Sequence, residues 1–217
     1  MPHDSSRIFL PLLLAAWLAP GEQGLFCQSA ASPAEKVKGR ESPRQGVLHL
    51  RAGERTAEFF PEGARLYSGG HLLTVEFLGT AGVMPTLLAE PRVVRGTGSP
   101  LRRALYDDLW PGIKLIYCLN PRGGFEARYV LAPGAEVSRI RIRYSVPLSL
   151  QEDGTLRFQF STGTVNESSP EAWQEIKGER IPVKAAFTIA GSEVGFRVGN
   201  YDWHYPLIID PNIYAKE

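Results

Sequence analysis

The amino-acid sequence predicts an all-β protein: an antiparallel, β-sandwich-like domain, with a smaller sheet formed by its N-terminal strands. Three observations predict this. From Gly46 onward apolar and polar residues alternate at period two, turn-forming residues recur between the alternating stretches, and no stretch sustains helical spacing over three turns. Glycine and proline number 22 and 17 in 217 residues, as a chain with many turns requires.

The first element in chain order is a leader. Arg7 closes a short polar region, and the apolar run Ile8 to Ala19 that follows falls short of the roughly 20 residues a spanning helix needs. Such a run suits the core of a signal peptide. Small residues Ser29, Ala30 and Ala31 permit cleavage after Ser29 or Ala31, so residues 1–31 are expected to be removed. Lipid attachment at Cys27 is the alternative, disfavoured by the bulky Phe26 before it. With Cys27 gone only Cys118 remains, which excludes an internal disulfide and leaves a small buried hydrophobe. No second apolar run reaches spanning length, so the mature chain is expected to carry no transmembrane span and to be secreted, periplasmic or envelope-associated.

Residues 32–45 are polar and charged and read as a flexible leader. An N-terminal β segment is expected over 46–99, with Pro85 to Ser99 joining it less regularly to a β domain over 100–217. The strands are justified by their faces. Leu73, Val75 and Phe77 oppose Thr74 and Glu76; Phe125, Ala127, Tyr129 and Leu131 oppose Glu126 and Arg128. Ile140, Ile142 and Tyr144 oppose Arg139, Arg141 and Arg143. Leu156, Phe158 and Phe160 oppose Arg157 and Gln159, and Val194, Phe196 and Val198 oppose Glu193 and Arg197. Turns are expected at Gly123-Gly124, Glu152-Asp153-Gly154, Lys177-Gly178 and Gly191-Ser192, where positive φ is tolerated. Pro206 to Pro211 reads as a last, more fully buried strand stopped by proline.

Five blocks of the second half carry a resemblance. They are YDDLWPGIKLIY (106–117), FEARYVLAPGAEVSRIRIRY (125–144), DGTLRF (153–158), AWQEIKGERIPVKAAF (172–187) and VGFRVGNYDWHYPLIIDP (194–211). In order and spacing this half resembles the N-terminal β domain, of unknown function, found ahead of bacterial SBBP-type seven-bladed β-propeller repeats. The resemblance implies a bacterial surface or envelope protein. Relatives continue into propeller repeats after the last block, whereas this sequence ends at Glu217, so a stand-alone relative or a truncated reading frame is expected.

A net charge of +1 argues against nucleic acid, whose binding rests on clustered Lys and Arg. Asp107, Asp108 and Asp210 raise the possibility of a glycan-active hydrolase, yet adjacent strand residues point to opposite faces, so Asp107 and Asp108 do not share a cleft. His3, His49, His71 and His204 lack ligand spacing, and Gly96 to Ser99 lacks a phosphate-loop lysine; no metal and no cofactor are expected. The weak ligand-contact candidates are Trp110, Trp203, His204 and the stripe Arg139, Arg141, Arg143, which would suit an anionic polymer but is first a solvated strand face. Asn166-Glu167-Ser168 is a glycosylation sequon. The function expected is an exported, non-catalytic interaction or structural module whose partner is an envelope protein or a glycan. The alternatives are a carbohydrate-binding module using Trp110, Trp173 or Trp203, and the hydrolase.

Overall fold

A computed structural model describes residues 38–42, 47–52, 54–93, 100–120 and 124–215. The proposed signal peptide, Cys27 and the Gly96 to Ser99 connection lie outside them, as does Gly123. The strands in chain order are β1 (Lys38–Ser42), β2 (Val47–Ala52), β3 (Arg55–Phe60), β4 (Gly63–Ser68), β5 (His71–Phe77), β6 (Thr86–Val93), β7 (Pro100–Trp110), β8 (Ile113–Asn120) and β9 (Gly124–Leu131). A 3-10 turn (Val137–Arg139) then precedes β10 (Ile142–Tyr144), β11 (Leu148–Leu150), β12 (Leu156–Phe160), β13 (Gly163–Glu167), β14 (Glu171–Ile176) and β15 (Glu179–Val183). The chain closes with β16 (Ala185–Ala190), β17 (Glu193–Val198), β18 (Leu207–Asp210) and β19 (Asn212–Ala215).

The strands form two antiparallel sheets. The first has the order β1-β2-β3-β4-β5-β10-β17-β16; the second runs β11-β12-β13-β19-β9-β18-β14-β15, with β8, β7 and β6 added successively from β9. The fold is the all-β sandwich expected from alternation. The smaller N-terminal sheet is not found, because β5 pairs with β10 (Ile142↔Phe77, Tyr144↔Val75) and so merges the early strands with late ones. Leu73, Val75 and Phe77 must bury one face, and the strand that carries Ile142 and Tyr144 presents the matching apolar edge. Part of the stretch read as a leader, Lys38–Ser42, forms β1 against β2.

The inner faces meet in one core. A run of rings crosses it: Phe59 lies 5.2 Å from Tyr117, Phe77 5.1 Å from Tyr106, and Tyr129 5.1 Å from Phe196. Buried polar ends of these rings are bonded. Tyr106 Oη donates to the carbonyls of Gly63 (2.8 Å) and Phe60 (3.0 Å), and Trp110 Nε1 donates to Leu78 O (2.8 Å). Position 63 takes glycine because a Cβ there would run into the Val75 carbonyl.

Two irregularities position the candidate site. The first is a bulge in β7 between Tyr106 and Trp110, where Asp108 adopts φ 58° and the alternation fails: residues 107 and 108 are both exposed, 109 and 110 both buried. The second is a fork. β18 and β19 run end to end along one edge of β9, pairing Leu207↔Leu131 through Ile209↔Tyr129 and then Asn212↔Glu126 through Tyr214↔Gly124. Pro211 separates them, since it has no N–H to donate to the ladder. Opposite the break, the chain from β13 to β14 is kinked: Glu167 pairs with Ile213 and Glu171 with Asp210, leaving residues 168–170 against 211–212. Beyond this point the sheet divides into a β13-β12-β11 branch and a β14-β15 branch. The strand Leu207–Asp210 is buried as expected, but it is not the last, for β19 follows the proline.

Candidate functional site

The fork brings polar residues together on the outer face of the second sheet. Glu126 and Arg128 are two apart on β9 and share that face, and Asp210 follows the buried Ile209 beside them. Arg128 Nη2 donates to Glu126 Oε1 at 2.8 Å and to Asp210 Oδ2 at 2.6 Å, while Arg128 Nε donates to Asp210 Oδ2 at 3.1 Å. All three side chains are nearly enclosed, at 8, 7 and 12% exposure for Glu126, Arg128 and Asp210. The polar face assigned to β9 is therefore covered. Two guanidinium groups approach the Trp173 ring, Arg180 Cζ 3.7 Å from its centroid and Arg128 Cζ 5.8 Å.

Burial pushes the Asp210 carboxyl up to about 6, against the opposing pull of Arg128 and with help from the Glu126 charge. Asp210 Oδ1 is buried without a hydrogen-bond partner among the described residues. Glu126 and Asp210 converge on one guanidinium nitrogen rather than flanking a cleft wide enough for substrate and water, so the geometry is that of a structural ion triad.

A second carboxyl lies on the opposite face of the same kink. Glu167 ends β13 pointing into the sandwich, and Tyr144 of the first sheet donates to its Oε2 at 2.8 Å, so this hydrogen bond spans the two sheets. Burial raises Glu167 to about 7, opposed by the Tyr144 hydrogen bond. Tyr117, Tyr129 and Tyr144 all have hydroxyls held well above the usual phenol range, chiefly by burial and next by neighbouring charge. The sequon residue Asn166 is itself buried, so its amide is closed to modification in the folded chain.

At one end of the sandwich the loop before β18 is clamped by Gln174, whose Nε2 donates to Asp202 O (2.8 Å) and Tyr205 O (3.1 Å) while its Oε1 accepts from Asp202 N (2.8 Å). This holds out Trp203, 63% exposed, with its ring 3.9 Å from that of His204. Asp202 Oδ1 accepts from the His204 backbone N–H and bonds His204 Nδ1 at 2.8 Å, which lowers the Asp202 carboxyl.

The remaining candidates are dispersed. Trp110 is 1% exposed and belongs to the core, and Trp173 is buried in the cation stack, so neither ring is open to a sugar. Arg139 sits on the 3-10 turn rather than a strand and pairs with Glu136 at 3.2 Å. Arg141 pairs with Glu193 at 2.7 Å, and Arg143 with Glu76 at 3.0 Å. The three therefore form no common cationic stripe. The bulge puts Asp107 and Asp108 both on the surface, where Asp107 pairs with Lys114 at 3.1 Å and Asp108 Oδ1 accepts from Gly112 N at 2.6 Å, fixing the Pro111-Gly112 turn. His49 stands near Glu58 (3.9 Å) and His71 near Thr162 (2.9 Å). His71 lines a shallow cleft of about 320 Å³, much of it open solvent, with Phe125, Val165 and Tyr214. Cys118 is buried. Among the described residues no three His, Cys, Asp or Glu are grouped to hold a metal ion, and no helix is long and apolar enough to cross a membrane.

Alternation placed Glu126 and Arg128 in solvent and did not single out Glu167, so the sequence reading missed both clusters. One signal was available: a strand buried on both faces, as Leu207 to Ile209 is, needs neighbours covered on both faces too.

Residues 94–212 match a family described as a domain of unknown function, DUF7948, a span that contains the five blocks singled out in the sequence. No curated protein and no solved structure matches the chain.

Proposed function

The chain belongs to the family of the domain of unknown function DUF7948, and from that premise we propose that it is an exported, non-catalytic module of a bacterial envelope or secreted protein, with an interaction or structural role. The observation that carries this reading is the employment of its acids. Asp107 neutralises Lys114, Asp108 caps a turn, Asp210 and Glu126 hold Arg128, and Glu167 joins the two sheets. Each carboxylate that would make a hydrolase already has a structural duty. The apolar run Ile8 to Ala19 and the small residues after it support export, and the likeness to domains that precede SBBP repeats supports a surface setting.

The test has two arms. Cell fractionation with N-terminal sequencing should find a mature chain beginning just after Ser29 or Ala31 outside the cytoplasm; an intact chain in the cytoplasm overturns export. Incubation with a glycan panel should give no turnover, and hydrolysis that disappears in Asp210→Asn, with folding retained, overturns the non-catalytic reading.

Trp203 favours a second reading, glycan contact, because its ring is presented to solvent on a clamped loop. Affinity electrophoresis in polysaccharide gels decides it: retardation lost in Trp203→Ala supports glycan binding, and no retardation of the parent chain removes it.

A further inference from the structure

Sheet edges carry unpaired N–H and C=O groups, and proteins blunt the ones that are to stay alone with charge, proline, bulges or shortness. Four edges here are blunted. β1 reads KGRES, β15 reads ERIPV, β6 contains proline and a register shift, and β11 is 3 residues long. β16 is different. It reads AAFTIA, six residues without charge, proline or glycine, and among the described residues it pairs with β17 alone. Thr188, Ile189 and Ala190 are exposed along it, and Ile189 is 38% exposed although it stands on the core side, opposite the buried Val194.

We propose that this edge is a homodimer interface, where a second copy of the chain lays its β16 antiparallel against the first and continues the sheet across a two-fold axis at Thr188. In an antiparallel pair, opposite residues share a face, so a two-fold axis must pass beside one residue. Centred on Thr188, the register sets Phe187 opposite the partner's Ile189 and covers the exposed isoleucine. It also sets Ala186 opposite the partner's Ala190. β17 then brings charge to the same rows, since Ala186 pairs with Arg197 and Ala190 with Glu193. Each outer row reads Arg197, Ala186, the partner's Ala190, the partner's Glu193, and symmetry supplies it twice. Arg197 thus faces, over two alanine methyls, a carboxylate that Arg141 and Arg143 of its own chain already hold at 2.7 and 3.5 Å. A two-fold axis centred on Phe187 would set Ala185 against Ile189 and put the Arg197 row against Gly195, so it offers neither match.

This inference is independent of export and of catalysis. The full chain, with Cys27→Ser throughout to remove that thiol, is examined by light scattering over a concentration series. A doubling of mass is expected, with a dissociation constant on the order of micromolar. Ile189→Lys, which plants a charge in the edge, should return the mass to that of a monomer with the circular dichroism unchanged. Thr188→Cys should form an intermolecular disulfide under mild oxidation, because the axis places each Thr188 beside its counterpart; Cys118 is buried and does not compete. A parent chain that is monomeric throughout overturns the proposal and leaves the edge to a strand of another polypeptide. A dimer that survives Ile189→Lys, or Thr188→Cys that does not cross-link, overturns it as well.

Discussion

On the outer face of the first sheet Arg141, Arg143, Glu76 and Glu193 are ion-paired with side chains 28 to 53% exposed, whereas on the outer face of the second sheet Glu126, Arg128 and Asp210 are paired at 7 to 12%. Both sets pair arginine with carboxylates, and the distances are similar, 2.7 to 3.5 Å against 2.6 to 2.8 Å. Solvent separates them. Water screens the first set and leaves each pair worth little. The second set has given up hydration, so each member depends on the others being present. A surface row and a buried triad that look alike in sequence thus have different consequences when one partner is removed.

The largest effect should come from Arg128→Met, which keeps the stem against Trp173 and deletes the charge. It should cost about 3 to 5 kcal/mol at pH 8, measured by urea unfolding, because two buried carboxylates lose their cation. The cost should shrink towards pH 5 as Asp210, already raised to about 6, takes up a proton. A loss below about 1 kcal/mol at pH 8 would place these charges with the surface pairs and end the contrast.

Glu167 sharpens the comparison from inside the core. An unfolded glutamate ionises near 4.5 and the folded one near 7, so ionisation opposes folding increasingly across that window and fully above it. At roughly 1.4 kcal/mol per pKa unit, Glu167→Gln should stabilise the protein by up to about 3 kcal/mol at pH 8 and by nothing at pH 4. Tyr144 can still donate to the amide oxygen. Thermal melts of the parent and variant against pH give the answer, and curves that stay parallel from pH 4 to 8 would refute it. Asp210 has the same sign, so the parent chain should be more stable in mild acid than at pH 8.

The smallest effect belongs to the exposed face. Glu193→Gln removes the partner of Arg141 and Arg143 and should cost under about 1 kcal/mol, less still in high salt. A loss as large as that of Arg128→Met would show that exposure does not govern these pairs.

Much of the first sheet was legible from alternation: Leu73, Val75, Phe77, Val194 and Phe196 point inward as period two requires, and the Gly191-Ser192 turn lies between paired strands, as the Lys177-Gly178 turn does in the second sheet. What failed was non-local or broke the period. The bulge at Asp108 turns two acids the same way, and the 3-10 turn takes Arg139 off its strand. The coverage of Glu126 and Arg128 depends on strands about 80 residues away, which no local pattern encodes. Glu167 shares the inward face with Val165, opposite Leu156, but β13 has no apolar run to mark that face, and the kink after it is legible only from the register of its partner.

The fork also orders events in time. Among the described residues, 207–215 carry the strand pairing between β9 and both branches of the second sheet, so β11 to β15 have no place in that sheet's ladder until that stretch has been made. Contacts this distant in sequence make folding slow and late. A nascent chain that has not yet reached residues 207–215 would carry the two branches as hairpins unjoined to β9, and the second sheet would close in one step once that stretch is made rather than strand by strand.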